Sequence, residues 1–334
     1  MAPAADVRAF VIPELAGPSA GELRDVPEPD GAHEWADGQR LLIDVHATGV
    51  SFPDLLQSRG EYQHGQAPPY VAGGEVAGVV LEAPSGCRFS PGDRVASLTL
   101  WGGLAERALG QPRYTVRLPD AMSFIEGAAL ELNYATAWFA LYRVGLRPGE
   151  TVLVHGAGGG VGTATIQVTQ ALGGTPIAVV SDDAKERVAR EAGARLVIRP
   201  AAGWVDEVKA LTDGRGVDVV IDPVGGERFV DSLRSLDVGG RLGVVGFAGG
   251  GIPEVRANRL LLRDLSVVGV ALAPYVGRHP EISAVLASAL EELSATGAIR
   301  PVVGHVLSLD RAAEALALID RRAALGKVVV QVKT

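Results

Sequence analysis

Residues 151–167 read TVLVHGAGGGVGTATIQ, an apolar run that passes through five glycines into a segment with helical spacing. A buried strand that turns this tightly into a helix is the opening unit of a parallel sheet. The next hundred residues keep the same alternation. PIAVVS, RLVIRP, VDVVIDPVGG and RLGVVGFAGG read as strands, and AKERVAREAGA, WVDEVKALT and ERFVDSLRSL read as helices. A β-α-β rhythm of this length predicts a doubly wound α/β sheet with helices on both faces. The first of its helices is expected over about Val161–Leu172.

In that context the glycines let backbone approach a pyrophosphate at a helix N-terminus. The G-x-G-x-x-G spacing is met by Ala157, Gly159 and Gly162, whereas a start at Gly156 puts Val161 where the third glycine belongs. Ala157, Gly158, Gly159, Gly160, Val161 and Gly162 are therefore the expected cofactor turn. The bland alternative, a turn that is glycine-rich only for packing, loses weight from the repeated βαβ context. Nineteen residues beyond Gly162 stands Ser181, where an NAD-binding chain would carry an acid. With Lys185 and Arg199 further along, a pocket for a 2′-phosphate and a preference for NADPH over NADH are expected. Asp182 and Asp183 are the counter-case, since either is close enough in sequence to reach a ribose.

The first part of the chain has another texture. LLIDVHATGV, EVAGVVLEA and PGDRVASLTL are short strand-like runs broken by turns, which predicts an all-β unit up to about residue 120. Ser123, with Glu126 three residues on, opens a helix-spaced segment and marks a boundary. The tail alternates again through LSVVGVAL, EISAVLASALEEL, RPVVGHVLSL and GKVVVQV, and periodicity allows it either to extend the second sheet or to return to the first unit.

A net charge of −8 from dispersed acids argues against nucleic acid or a basic membrane-binding face, so a small-molecule partner is expected. Cys87 is the sole cysteine, which excludes an internal disulfide. The start lacks a basic, apolar leader and no run is long enough to span a membrane, so a cytoplasmic protein is expected. The six histidines show no short metal-ligand spacing, and core or surface roles are expected for them.

Several motifs taken together, ATGVSFPDLLQSRGEYQ, PGDRV, GGLAE, NYATAWFAL, the glycine turn, IDPVGG, VVGFAGG and GKVVV, resemble the medium-chain dehydrogenases/reductases. Within them the chain is similar to the zinc-free quinone oxidoreductases related to zeta-crystallin. The resemblance implies a GroES-like β domain over 1–122, an NADP-binding Rossmann domain over 123–266, and a returning segment, 267–334, that completes the first domain. It also puts the zinc-ligand positions of the metal-dependent relatives on Ser51, Gly74 and, on or near it, Leu132, so that Gly73-Gly74-Glu75 is a Gly-His-Glu signature without its imidazole. None of the three residues is a zinc donor, and one cysteine cannot build a four-cysteine structural site. No metal site is expected.

The resemblance further implies that Asn133, Thr136, Gly246, Phe247 and Ala248 lie near the nicotinamide, Gly225 near the adenosine side, and Lys327 toward the cofactor from the returning segment. Ser51 and Tyr62 are the candidate catalytic contacts to substrate, with Ser51 standing where Asn is commoner in the family and Arg59 a further departure. Asp54 reads as a cap carboxylate. Without a metal, the acceptors that suit hydride transfer are quinones or α,β-unsaturated carbonyls, whose conjugation spreads the developing charge, and solvent can protonate the product. Reduction of an enoyl thioester and non-catalytic NADPH binding are the alternatives. LSVVGVAL, 265–272, predicts a sheet edge that pairs in a homodimer.

Overall fold

The structure is a computed structural model that describes residues 6–333. The chain runs through β1 (Asp6–Ile12), β2 (Glu22–Pro27), β3 (Leu41–Val50), α1 (Phe52–Ser58), β4 (Tyr70–Val71), β5 (Glu75–Glu82), β6 (Arg94–Leu98), β7 (Arg107–Gly110), β8 (Thr115–Arg117), α2 (Phe124–Gly127) and α3 (Glu131–Val144). It continues with β9 (Thr151–Val154), α4 (Gly160–Ala171), β10 (Thr175–Val179), α5 (Asp183–Glu191), β11 (Leu196–Ile198), α6 (Trp204–Ala210), β12 (Val217–Asp222), α7 (Phe229–Ser235), β13 (Leu236–Val244), α8 (Ala257–Leu261) and β14 (Ser266–Gly269). The last elements are α9 (Leu272–Arg278), α10 (Glu281–Ala295), β15 (Val303–Ser308), α11 (Ala312–Asp320) and β16 (Lys327–Gln331).

Two compact units result. The first comprises residues 1–132, 283–296 and 303–334, the second 133–282 and 297–302. Unit 1 holds an antiparallel sheet in the order β2-β1-β4 and a larger sheet in the order β15-β16-β3-β5-β6-β8, with β7 on β3. The tail therefore does both things that periodicity allowed: β14 extends the second sheet, while β15 and β16 return to the first beside β3. β3 is paired along both edges and buried along almost its whole length, and Leu41, Ile43 and Val45 form one apolar cluster with Val76, Val80 and Val95.

Unit 2 is a parallel sheet in the order β11-β10-β9-β12-β13-β14. The order reverses beside β9, between its neighbours β10 and β12. Its core gathers Leu153, Ile177, Ile198, Trp204, Val220, Phe229 and Leu242, the apolar faces of the predicted strands and helices.

The structure refines three local expectations. The segment after Ser123 is two helices: the Ser123–Glu126 capping box closes only the single turn of α2, which packs on β3 and β5, and Asn133 starts the second unit within α3. The helix of the glycine turn begins at Gly160, one residue early. LSVVGVAL supplies a strand of four residues, because Leu272 already opens α9.

Candidate active site

In unit 2 the turns that follow β9, β12 and β13 lie side by side where these parallel strands end. After β9 the chain turns left-handed at Gly156, φ 61°, one residue before the register that starts at Ala157. Ala157 is instead buried, its N–H donating to the Val179 carbonyl at 3.2 Å. Gly162 packs so closely that a Cβ there would lie 2.2 Å from the Gly156 carbonyl oxygen, the third-glycine role of the fingerprint. Gly160 leaves room for Asn133, whose Nδ2 would be 2.4 Å from a Cβ, and Gly158 for the stem of Lys185 at 2.5 Å. Gly159 caps α4 without a side chain, so no capping side chain takes up the opening N–H groups of the helix.

The turns after β12 and β13 stand beside this one. A Cβ on Gly156 would touch Val224, and one on Gly225 would meet Phe247 at 2.9 Å. The Ala248 and Gly249 N–H groups donate to the Pro223 and Val224 carbonyls at 3.1 and 2.8 Å, which fixes the Gly246–Ala248 loop. A residue overlooked in the sequence holds the β12 turn: buried Asp222 accepts the Val224 and Gly225 N–H groups at 2.8 and 2.9 Å. An Asp two and three residues before its donors is an Asx-turn signal that the strand pattern hides. Thr136 lies half-buried on α3.

Of the proposed phosphate contacts, two come together and one is occupied. Lys185 donates to Ser181 Oγ at 3.0 Å and pairs with Asp182 at 3.3 Å. Asp182 caps α5, and its carboxyl is held down to about 2, first by the Lys185 N–H and then by the Ser181 hydroxyl. Arg199 is paired with Asp183 and with Glu186, both acids of α5.

In unit 1, strand register assembles a buried polar cluster. Val328 of β16 lies opposite Val50, and Gly49 lies opposite Glu75, so Lys327, Ser51 and Glu75 meet where three strands run side by side. The Lys327 ammonium is ion-paired with the Glu75 carboxylate and donates to Ser51 Oγ at 2.6 Å. Glu75 also accepts the Leu132 N–H at 2.9 Å. Gly49 makes this possible, since a Cβ there would lie 2.7 Å from Lys327 Cε, 2.8 Å from Glu75 Cγ and 2.0 Å from the Ala128 carbonyl oxygen.

Asp54 acts as the expected cap by accepting the Ser51 N–H at 2.7 Å. It is 3 % exposed, and its other oxygen, Oδ1, faces Gly74, whose backbone supports it only through a bond of poor geometry. Burial pushes this carboxyl up to about 7 against the opposing pull of Lys327. Burial, with Glu75 next in size, pushes Glu131 up to about 8, and its Oε2 is unpartnered.

Tyr62 is half-buried, and burial followed by the Asp54 charge raises its hydroxyl. Its ring begins an edge-packed series that continues through His64, Trp35 and Trp101. Arg59 turns away to Asp320 at 2.7 Å.

All three positions that correspond to zinc ligands are thus tied to one ion pair: Lys327 holds Ser51, Glu75 adjoins Gly74, and Glu75 binds the Leu132 backbone. These residues do not fit a zinc ion. A hydroxyl, a glycine and a leucine offer no thiolate, imidazole or carboxylate, and an ammonium repels a dication. Among the described residues no three His, Cys, Asp or Glu side chains cluster to hold a metal.

Family models match both parts of the chain: the alcohol dehydrogenase GroES-like domain over residues 37–138 and the zinc-binding dehydrogenase over 160–291. Quinone oxidoreductase-like protein 2 of Bos taurus is 38% identical over 98% of this chain and 93% of its own. The mycobacterial protein Rv1454c, solved in complex with NADPH, superposes with a TM-score of 0.86 at 32% identity, covering 98% of this chain and 100% of that one. The quinone oxidoreductase of Thermus thermophilus, also solved with NADPH, gives 0.80 at 34% identity over 97% and 100%.

Proposed function

We propose, because this chain belongs to the quinone oxidoreductase family of the medium-chain dehydrogenases/reductases, that it transfers hydride from NADPH to a quinone or an α,β-unsaturated carbonyl without zinc. The observation that carries the reading is the side-chain-free N-terminus of α4, set where the strand order reverses and walled by Gly225 and Gly246–Ala248. In open parallel sheets that crevice is where dinucleotides bind. Bound there, NADPH supplies a hydride.

In this reading the residues 157–162 cradle the pyrophosphate, and Gly225 and the Gly246–Ala248 loop line the dinucleotide. Asn133 and Thr136 bind near its nicotinamide. Ser181 and Lys185 receive the 2′-phosphate, with Arg199 contributing only if it leaves its acids. Ser51 and Tyr62 contact the acceptor. Lys327, assigned to the cofactor by the resemblance, serves Ser51 instead, since its ammonium is engaged inside unit 1.

The acceptor class is set by the electrostatics. With no dication to polarise an alcohol, an acceptor that delocalises its own charge is the chemistry this donor set suits. Mixing the protein with NADPH and a panel of small quinones and enones should bleach the nicotinamide band, and treatment with a chelator should leave that rate unchanged. No bleaching across the panel would sink the reading. Turnover of an enoyl thioester well above that of quinones would favour the thioester alternative. A raised Tm with NADPH but no hydride transfer to any of these acceptors would favour a binding protein.

The same reading describes a homodimer in the cytoplasm. β14 is an edge strand, and Leu261 and Leu262 beside it are 81% and 76% exposed, an unpaired ladder next to apolar side chains. Light scattering that returned a monomer at micromolar concentration would count against it.

A further inference from the structure

Lys327 and Glu75 form an ion pair whose side chains are 4% and 1% exposed. Such a pair is weak evidence for stability, because taking both charges out of water cancels most of their attraction. The three residues that follow it in β16, Val328, Val329 and Val330, are fully buried and apolar, so the lysine stands out at the head of the strand. Its surroundings do little to neutralise it further. Asp54 and Glu131 are buried carboxyls pushed up to about 7 and about 8, which leaves Glu75 as the counter-charge in contact.

The bond from Lys327 to Ser51 fixes the direction of the Ser51 hydroxyl. An ammonium has no lone pair, so Ser51 Oγ can only accept from it. Ser51 donates to no acceptor among the described residues, while its backbone N–H is used by Asp54. The hydroxyl proton is therefore available to an added acceptor, and Ser51 keeps 9% of its surface beside Phe52, which is 37% exposed. A hydroxyl that accepts from a cation is a stronger donor than an isolated one, because the two bonds polarise each other.

We propose that Lys327, held in place by Glu75, polarises the Ser51 hydroxyl, so that Ser51 donates a hydrogen bond to the acceptor oxygen that becomes negative on reduction. This rests on the proposed hydride transfer and gives Lys327 a positioning and electrostatic role. The charge stabilisation that a metal would supply comes here from an ammonium acting through a hydroxyl. When hydride forms a C–H bond at the β-carbon of an enone or at a ring carbon of a quinone, the conjugated C=C π pair shifts toward the carbonyl and the C=O π pair moves onto the oxygen. Ser51 hydrogen-bonds that oxygen, and water then protonates the product. No further reactant is needed.

The test reads the site without turnover. 4-Nitrophenol is a phenol whose absorbance reports its ionisation, and its oxyanion imitates the reduced acceptor. Titrated from pH 5 to 9 with saturating wild-type protein, it should ionise at a pH lower by about one unit than in buffer. The shift should vanish in Ser51→Ala and return in Ser51→Thr. Lys327→Met alone leaves Glu75 unpaired and can fail to fold, so the charge is removed in the neutral pair Lys327→Met/Glu75→Gln, which should also lose the shift. Lys327→Arg should retain part of it. In the NADPH assay, Ser51→Ala and the neutral pair should each lower kcat on the order of 100-fold, with KM for NADPH unchanged. Combined, they should cost no more than either alone, as expected when one acts through the other. Absence of probe binding, an unshifted probe in wild type, or a shift that survives in Ser51→Ala or the neutral pair overturns the inference. A wild type that shifts the probe but reduces no acceptor leaves the oxyanion site standing and overturns the proposed reaction.

Discussion

The Lys327 ammonium and the Glu75 carboxylate meet across β3, in space that exists only because residue 49, between them, is glycine. A Cβ at this position would press on both side chains and lie 2.0 Å from the Ala128 carbonyl oxygen. Gly49→Ala should therefore destabilise the protein by roughly 3 kcal/mol or more, from overpacking together with disruption of a buried pair. Urea denaturation checks this, and a loss below about 1 kcal/mol would show that the cluster adapts.

Asp54 makes a pH-dependent contribution whose sign can be worked out. Its folded carboxyl titrates at about 7, above the usual 3.8, so between these values the folded state keeps a proton that the unfolded chain has released. Stability from this group is greatest at low pH, declines as pH rises from about 4 to about 7, and is level above that. Asp54→Asn preserves an acceptor for the Ser51 N–H and removes the decline. Relative to wild type, the variant should gain stability between pH 4 and pH 8 by on the order of a few kcal/mol. Parallel stability profiles for the two proteins would refute it.

The glycines of the cofactor turn should not be equivalent. At Gly162 an added Cβ meets the backbone of Gly156 and Ala157, which cannot move without opening the turn, while at Gly160 it meets the Asn133 side-chain amide, which can rotate. Gly162→Ala should lower Tm by several degrees and abolish NADPH binding, read by nicotinamide fluorescence. Gly160→Ala should keep the fold and weaken the cofactor moderately. Equal losses would mean that the two positions serve the same purpose.

Cofactor preference should rest on Lys185 more than on Arg199. Lys185 lies over Gly158 with its ammonium beside Ser181, whereas Arg199 is held by Asp183 and Glu186. Exposed charge contacts are screened, so the wild-type preference for NADPH over NADH should be tens-fold. Lys185→Ala should erase most of it, and Arg199→Ala should change it by less than about threefold. A wild type that binds NADH as tightly as NADPH would instead make Asp182 the ribose ligand.

The features that depend on local pattern are legible in the residues alone. Strand and helix period, the capping box at Ser123 and the glycine spacing through Gly162 fix the two textures and the nucleotide turn, because each is written within a few neighbouring residues. That Ser51, Gly74 and Leu132 offer no metal donors is legible there too, since it needs only residue identity. Tertiary structure decided the rest. The period of the tail allows either sheet; β14 joins the second and β16 pairs with β3, a long-range choice that buries that strand. The same pairing carries Lys327 across 276 positions of sequence to Ser51 and on to Glu75, and the fold alone crowds Gly49 and buries the Asp54 carboxyl. No local pattern encodes those contacts, since register between distant strands arises from the summed packing of the core and is expressed at no single residue.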